Sequence, residues 1–203
     1  MARPPANEQQ REHQLRRIRA AAAEIYSEQG LDGVSIREIA GRAGVSQGTI
    51  YSYFTSLGSL MRSLWSEPVG KVSRELEELA GSISDPVERL HSVLHRYVEF
   101  AVRHPDIHRG ALLFVRPSSQ PKPLPAPIDD VVLFRLLAAT LHELDDAGRL
   151  TVADPRHAAE LMWAGVHGTL GLAINSDAYT VTPAEQLAPP MIDLIVGAVV
   201  ADH

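Results

Sequence analysis

Residues 35–54, SIREIAGRAGVSQGTIYSYF, constrain the fold more than any other stretch of the chain. Ser35 and Glu38 have the spacing of a capping box, in which each side chain accepts a hydrogen bond from the other residue's backbone N–H. Gly44 follows the first helical pattern directly and can take the left-handed conformation that ends a helix. The apolar residues between these signals recur at helical spacing: Ile36, Ile39, Ala40 and Ala43.

A second short helix is predicted after a tight turn. Val45 is an apolar residue that fits between two helices, and Ser46 is a favourable N-cap. Ile50 and Phe54 are four residues apart, so both point into one core. The residues left mainly outside are Gln47, Gly48, Thr49, Tyr51, Ser52 and Tyr53. Hydroxyls, an amide and two aromatic rings suit contacts with phosphates and base edges, which predicts a helix-turn-helix that enters a DNA major groove.

The composition excludes several classes of protein. The chain has no Cys, so it has no disulfide framework, thiolate metal site or cysteine nucleophile. It lacks the roughly 18 uninterrupted apolar residues of a membrane span. The first ten residues also lack the apolar core of a signal peptide. We therefore expect a cytoplasmic protein that has no membrane partner.

Charge is distributed unevenly along the chain, whose net charge is −6. Residues 1–65 hold eight Arg against six Asp or Glu, whereas residues 66–203 hold eleven Lys or Arg against nineteen Asp or Glu. A slightly basic N-terminal part and an acidic remainder fit a molecule with one end facing DNA and the other turned away.

Nearly every other segment also has helical periodicity, which predicts an all-α fold of about nine helices. Residues 1–9 are polar, contain prolines and are expected to be disordered. The first helix is expected over residues 10–29, before Gly30. A later helix is expected from about Ser56 to Leu79, kinked or restarted by the proline within it.

Three further helices are predicted from an N-cap residue followed by proline. They begin at Asp85-Pro86, Asp154-Pro155 and Thr182-Pro183 and run to about Arg103, Asn175 and Ala201. Two more helices are expected over residues 106–115 and 128–147. Between them, residues 116–127 form a proline-rich connector that cannot be helical throughout.

The segment IREIAGRAGVSQGTIYSYFTSLGSLM resembles the N-terminal signature of the tetracycline-repressor (TetR) family of bacterial transcription regulators. The match covers about residues 10–65. It implies an all-helical fold with a DNA-binding domain over residues 10–55 and a ligand-binding and dimerisation domain over residues 56–203. One position departs from the family pattern: Leu57 replaces a lysine that often meets a phosphate, so Leu57 is expected to pack locally.

Residues Trp163 to Gly168 resemble the Trp-x-x-x-His-Gly variant of the TetR ligand domain. The resemblance implies a homodimer, in which helices 155–175 and 183–201 pack against their mates as a four-helix interface. Small residues in the first of these helices favour a close helix contact: Ala164, Gly165, Gly168 and Gly171. The alternative is an ordinary tight contact within one chain.

The predicted DNA-contacting residues are Ser35, Arg37, Ser46, Gln47, Gly48, Thr49, Tyr51, Ser52 and Tyr53. Gln47 and Thr49 are expected to reach base edges, and the tyrosines and Ser52 to meet phosphates or thymine methyl groups. Ser35 and Arg37 begin the preceding helix, where they are expected to hold backbone phosphates. The alternative is that both helices form an ordinary hairpin in a bundle.

An effector pocket is predicted in the C-terminal part of the chain. Trp163 and His167 are four residues apart and share a helix face. The predicted lining is Tyr97, Phe100, Phe114, Phe134, Met162, Trp163 and His167. Few charged residues occur in these helices, which indicates a small and largely apolar effector. The alternative is that these residues belong to the core.

Two histidine pairs, His91 with His95 and His104 with His108, have the i, i+4 spacing of metal ligands. Neither pair is accompanied by cysteine, no acidic third ligand adjoins the first pair, and Pro105 interrupts the second. We therefore predict no metal site and no cofactor. The chain also lacks the nucleophile elbow, phosphate-binding loop, dinucleotide fingerprint and zinc-protease motif, so no catalytic residue is predicted.

These patterns together predict a dimeric, ligand-responsive repressor that binds a palindromic double-stranded DNA operator. An effector that prefers a state with wrongly spaced DNA-binding heads would release it. Two other classes remain open. One is a small helical enzyme or ligand carrier with a coincidental N-terminal motif, and the other is a helical adaptor that binds only protein.

Overall fold

The computed structural model describes residues 6–30, 33–108, 127–175 and 180–201, without the side chains of residues 6, 7 and 175. Over these ranges the chain is all-α, as predicted. The helices are α1 (Ala6–Gln29), α2 (Ile36–Ala43), α3 (Gln47–Tyr51), α4 (Leu57–Leu64), α5 (Ser66–Ser82), α6 (Pro86–Arg103), α7 (Pro105–Ile107), α8 (Val132–Asp146), α9 (Pro155–Asn175) and α10 (Ala184–Val199). The chain divides into two compact units, with Glu67 in the first and Pro68 in the second.

The N-terminal unit is built around an apolar core to which α1, α2, α3 and α4 all contribute. Its members with no exposed surface are Ile18, Ala22, Ile25, Ile39, Ile50, Leu60 and Met61. Tyr26 and Trp65 pack edge to face beside this core, with ring centroids 5.2 Å apart. Leu57 is 2% exposed and belongs to the same core, which confirms that it packs locally.

Serine hydroxyls cap α2, α3 and α4, which fixes where each short helix begins. Ser35 accepts from the Glu38 N–H at 3.2 Å and Ser46 from the Thr49 N–H at 3.0 Å. The reciprocal half of the predicted capping box at α2 is wrong, because the Glu38 carboxylate accepts instead from the Gln29 amide at 3.0 Å. A reciprocal box does occur at α4, between Ser56 and the side chain three residues later.

Two boundaries in the N-terminal unit differ from the sequence prediction. Helix α1 begins at Ala6, so the prediction of disorder is wrong for residues 6–9. Ala, Glu and Gln favour helix, and Glu8 lies in the first turn, where the helix dipole stabilises a negative charge. The chain breaks at Trp65 and restarts as α5, which places Pro68 in a first turn that does not need its missing N–H.

The C-terminal unit consists mainly of α6, α8, α9 and α10, which pack against one another. Asp85 caps α6 by accepting from the Glu88 N–H at 2.8 Å, and Asp154 accepts from the Arg156 N–H at 2.9 Å at the start of α9. The predicted cap at Thr182 is not formed, because Pro183 is extended and α10 begins one residue later without a side-chain cap.

The loop before α9 is tied to the end of α10 by a short antiparallel bridge. Thr151 donates its N–H to the Val199 carbonyl at 3.0 Å, and Ala201 donates to the Arg149 carbonyl at 2.9 Å. Gly148 has φ +66° in this loop, as its predicted role in ending a helix requires. That helix, α8, begins at Val132 rather than at residue 128, because residues 128–130 form a separate 3₁₀ turn.

Several expectations fall on residues that the structure does not describe. The predicted helix over residues 106–115 is represented only by its start in α7, and most of the connector over residues 116–127 lies outside the described ranges. Phe114 lies there too. Among the described helices, none is long and apolar enough to cross a membrane.

Candidate nucleic-acid interface and buried polar cluster

The outer face of α3 is exposed, as the sequence predicted. Ile50 is fully buried and anchors the helix, which leaves the other faces free. Gln47, Gly48 and Ser52 are exposed, and 52% of Tyr51 is accessible to solvent. Within the described part of the chain, the side chains of Gln47 and Tyr51 form no hydrogen bond, so both are available to an external partner.

The hydroxyl groups on and beside α3 are used partly within the protein. Ser46 and Thr49 hydroxyl oxygens are 2.9 Å apart, and the Ser46 oxygen also caps the helix. Ser52 donates to the Thr49 carbonyl at 2.7 Å. These contacts hold the start of α3 and Ser52 in fixed positions. Ser52 uses its hydroxyl hydrogen in its contact, so its oxygen can still accept from an external donor.

Tyr53 is a predicted DNA-contacting residue whose side chain bonds to a different helix. Its hydroxyl donates to the Gln14 side-chain oxygen at 2.9 Å, and its half-buried ring packs against the core. The Arg11 guanidinium lies 5.6 Å from the ring centroid. Tyr53 therefore joins the end of the helix-turn-helix to α1, although the sequence placed it largely outside.

Most arginines in the N-terminal unit have intramolecular partners. Arg17 donates to the Ala43 carbonyl at 2.6 Å and so stabilises the end of α2, and Arg42 pairs with Glu28 at 2.7 Å. Arg37, by contrast, is exposed and has no ion pair within the described residues. The free cation near the start of α2 is thus the one that the sequence assigned to DNA.

A buried polar cluster joins α6 to α9 in the C-terminal unit. The Tyr97 hydroxyl and His167 Nε2 are 2.8 Å apart, and His167 Nδ1 is 2.9 Å from the Trp163 carbonyl oxygen. A carbonyl only accepts, so Nδ1 carries the hydrogen and Nε2 accepts from the tyrosine. The Trp163 and His167 ring centroids are 3.7 Å apart. Three of the predicted pocket residues therefore do meet.

His108 completes this cluster and was not among the predicted pocket residues. Its ring is fully buried, 5.6 Å from that of His167 and 6.5 Å from that of Tyr97. Neither of its ring nitrogens has a hydrogen-bond partner among the residues that the structure describes. Its only sequence signal was the spacing to His104, but His104 is exposed, so these two histidines do not form a site.

Burial sets the protonation of the cluster. It lowers the pKa of His108 to about 4, with a smaller contribution from neighbouring His167. Burial also lowers the pKa of His167 to about 4, against the opposing effect of its bond to the Trp163 carbonyl. The pKa of Tyr97 is raised by burial. At neutral pH all three groups are uncharged, so His108 offers one donor and one acceptor.

The other predicted pocket residues have different surroundings. Phe100 is buried with its ring centroid 5.0 Å from that of His104, and the Arg156 guanidinium lies 5.4 Å from the Phe134 ring centroid. Phe134 and Met162 are completely buried. Phe134 and Met162 are therefore core residues, which was the alternative to a pocket lining.

A separate cleft of about 510 Å³ opens between α5, α6 and α8. None of the six predicted pocket residues that the structure describes lines it. Its charged wall residue Arg89 already donates to the carbonyls of Ile83 and Ser84 and to the Glu143 carboxylate.

Helices α9 and α10 present both tight internal packing and an exposed apolar surface. A Cβ at Gly165 would lie 2.5 Å from Ile195 Cδ1, so this glycine serves a contact within the chain. Leucines are nevertheless exposed on both helices: 51% of Leu161, 51% of Leu172 and 67% of Leu194. Both alternatives that the sequence left open for α9 therefore have support, at different residues.

Two protein-family models match the chain. One, for bacterial regulatory proteins of the tetR family, matches residues 18–64. The other, for a tetracyclin repressor-like C-terminal domain, matches residues 90–195, which is more than half of the chain. The chain belongs to the tetR family of bacterial regulatory proteins. Proteins of this family are transcriptional regulators rather than enzymes.

A curated relative of the chain is also a transcriptional regulator. The HTH-type transcriptional regulator AcrR of Shigella flexneri is 33% identical over 103 residues, which cover 50% of this chain and 47% of AcrR. The chain thus spans about half the length of the curated relatives it matches.

Two solved structures show the same fold over nearly the whole chain. FadR of Bacillus subtilis, in complex with stearoyl-CoA, has a TM-score of 0.63 and 24% identity, covering 90% of this chain and 97% of FadR. FadR of Thermus thermophilus, in complex with lauroyl-CoA, has a TM-score of 0.65 and 20% identity, covering 93% and 96%.

Proposed function

We propose that this TetR-family regulator is a repressor that binds a palindromic operator as a homodimer and is released by a small, largely apolar effector. The observation that carries this proposal is the exposed outer face of α3, on which the side chains of Gln47 and Tyr51 have no hydrogen-bond partner within the described ranges. Contact with DNA would give the Gln47 amide and the Tyr51 hydroxyl hydrogen-bond partners. The proposed location is the cytoplasm, where bacterial DNA lies.

The proposed contacts divide between base reading and backbone positioning. Gln47 lies in the first turn of α3 and would contact a base edge. A good bidentate contact of this kind discriminates against the wrong base by about 1–3 kcal/mol. Tyr51 and Ser52 would contact phosphates or a thymine methyl group, and Arg37 a backbone phosphate. Thr49, half-buried and bonded to Ser46, has less freedom for the base contact that the sequence assigned to it.

Dimerisation is proposed through α9 and α10. Two exposed leucines on α9 are spaced eleven residues apart, which returns them to one helix face after three turns. Ala164 and Gly168 are exposed between them, and nothing lies within 4 Å of a Cβ built at Gly168. Leu194 supplies the matching apolar residue on α10. Such a surface on both helices is typical of an interface with a second copy.

The proposed effector has an apolar body and one group that both donates and accepts hydrogen bonds. Uncharged His108 has a donor and an acceptor without partners in the described part of the chain, and an unsatisfied buried polar group costs about 1–3 kcal/mol. Tyr97 and His167 lie beside it. The stearoyl and lauroyl chains of the CoA esters bound by the two FadR proteins are likewise long apolar groups.

Release follows from linkage between the two ligands. The effector must bind more tightly to a state whose heads are wrongly spaced for the operator. If the effector lowers the affinity for DNA by some factor, bound DNA must lower the affinity for the effector by the same factor.

Salt-titrated fluorescence anisotropy with DNA from upstream of the chain's own gene tests the DNA interface. Gln47→Ala and Tyr51→Ala should weaken specific binding while salt-sensitive binding to unrelated DNA changes less. Ser52→Ala has a matched control in Ser82→Ala, because both hydroxyls donate to the carbonyl three residues earlier, at 2.7 and 2.8 Å. Only Ser52→Ala should weaken operator binding. Unchanged binding in Gln47→Ala and Tyr51→Ala would refute the proposed interface.

A further inference from the structure

A second cluster of histidines lies on the surface of the C-terminal unit, outside the buried polar cluster. His91 and His95 stand one turn apart on α6, with ring planes inclined by 19° and centroids 6.4 Å apart. Asp193 of α10 faces them, with its Oδ1 3.4 Å from His91 Nδ1. Potential ligand atoms of all three residues lie within 4.8 Å of one another.

We propose that His91, His95 and Asp193 form a binding site for a divalent transition-metal ion, with zinc as the best match. Two imidazoles and one carboxylate are a ligand set that zinc accepts, with water completing a four-coordinate site. The sequence showed the histidine pair but not its third ligand, because Asp193 is about a hundred residues away and only the packing of α10 on α6 brings it there.

The geometry needs only small side-chain movements to close around an ion. Zinc–ligand bonds of about 2.0–2.2 Å place tetrahedral ligand atoms roughly 3.4 Å apart. The His91 Nδ1 to Asp193 Oδ1 distance of 3.4 Å already has this value. The ligand atom of His95 lies within 4.8 Å of the other two, so it must approach by at most about 1.4 Å. The side chains of His91 and Asp193 are 32% and 69% exposed, so rotation meets little resistance.

The ion would link two helices that are already packed together. The backbone of α6 holds both histidines in register, and α10 packs against α6. An ion that binds the folded chain more tightly than the unfolded chain stabilises the fold by mass action. Zinc should therefore raise the thermal unfolding temperature of the wild-type protein, and it should do so independently of DNA and effector.

Isothermal titration of zinc into untagged, EDTA-treated, full-length protein tests the site, and Co²⁺ absorption in the visible range reports its geometry. We expect one saturable site per chain, Co²⁺ bands of low-coordinate intensity, and a rise in unfolding temperature with zinc. His95→Ala and Asp193→Asn should each reduce zinc affinity at least about tenfold and abolish the temperature rise.

The matched control is His157→Ala. His157 is also a surface histidine next to a carboxylate, with Nδ1 3.8 Å from Glu160 Oε2, but it belongs to no cluster of three ligands among the described residues. This variant should keep wild-type zinc binding. If His95→Ala unfolds without metal, His95→Gln replaces it. Equal zinc affinity in wild type, His95→Gln and Asp193→Asn, or no saturable binding by the wild type, would overturn the proposal.

Discussion

Tyr51 and Tyr53 are two residues apart, yet their side chains have different surroundings. A separation of two residues turns a helical chain by about 200°, so side chains at this spacing face opposite ways. Tyr51 points to solvent, whereas the Tyr53 ring packs on the core and its hydroxyl bonds to Gln14. The sequence showed two aromatic residues after Ser46, and only the position of α1 distinguished their roles.

Substituting each of these tyrosines by phenylalanine separates stability from DNA binding. Tyr53→Phe removes a hydrogen bond within the fold and should lower the free energy of unfolding by about 1 kcal/mol, with little effect on operator affinity. Tyr51→Phe should lower operator affinity and have little effect on the free energy of unfolding. Urea denaturation and anisotropy measure the two quantities. A loss of operator affinity in Tyr53→Phe as large as that in Tyr51→Phe would place the Tyr53 hydroxyl on DNA.

The buried histidines make stability depend on pH. Unfolded histidine has a pKa of about 6.5, whereas burial lowers the pKa of His108 and His167 to about 4 in the folded chain. Below pH 6.5 the unfolded chain binds more protons, so the free energy of unfolding falls until about pH 4. The total loss should be on the order of a few kcal/mol.

Urea midpoints at pH 7.5 and pH 4.5 measure this loss. His108→Leu should reduce the difference between the two midpoints, because one lowered pKa is removed. His142→Ala, at an exposed histidine of α8, is the control and should leave the difference unchanged. An unchanged difference in His108→Leu would show that His108 does not remain neutral in the folded protein.

At the scale of helices, short capped elements and small residues set the geometry. Capping serines fix the starts of α2, α3 and α4, and Gly44 has φ +63°, so the helix-turn-helix is largely encoded locally. Gly165 is different, since its role depends on Ile195 in another helix. In the sequence, a glycine within a helix indicates only that another part of the protein packs closely there. It does not identify the residue that makes the contact.

Gly165→Ala tests the α9–α10 contact against helix propensity. Alanine is favoured over glycine by about 1 kcal/mol within a helix. At Gly165 the new Cβ meets Ile195 Cδ1 at 2.5 Å, so we expect little or no gain in unfolding free energy. The Ile195→Val variant lacks the Cδ1 atom, so in that background Gly165→Ala should increase the free energy of unfolding. Chemical denaturation of all four proteins forms the double-mutant cycle.

The control for this cycle is Gly81→Ala near the end of α5, where nothing lies within 4 Å of a Cβ. It should stabilise the protein by about 0.5–1 kcal/mol in either background. If Gly165→Ala stabilised the wild-type protein as much as Gly81→Ala does, the Ile195 side chain would have to move aside without a loss of stability.

At the scale of the whole molecule, the exposed leucines of α9 and α10 bear on assembly. Leu194→Asp places a charge on the most exposed of them, and burying an unpaired carboxylate opposes association. We expect this variant to be monomeric at micromolar concentration by sedimentation velocity and to lose most operator affinity. Ala139→Asp, at an exposed position of α8, should remain dimeric. A dimeric Leu194→Asp protein would contradict the proposed interface.

The sequence by itself determined the helix-turn-helix, most helix boundaries and the exposed residues of α3, because caps, glycine stops and apolar periodicity act between residues that are close in the chain. The tertiary structure alone decided the contacts that join distant segments: Tyr53 with Gln14, His108 with His167, Asp193 with His91 and Gly165 with Ile195. Each of these depends on which helix faces which and at what distance. That arrangement follows from packing the whole core, which no local pattern specifies.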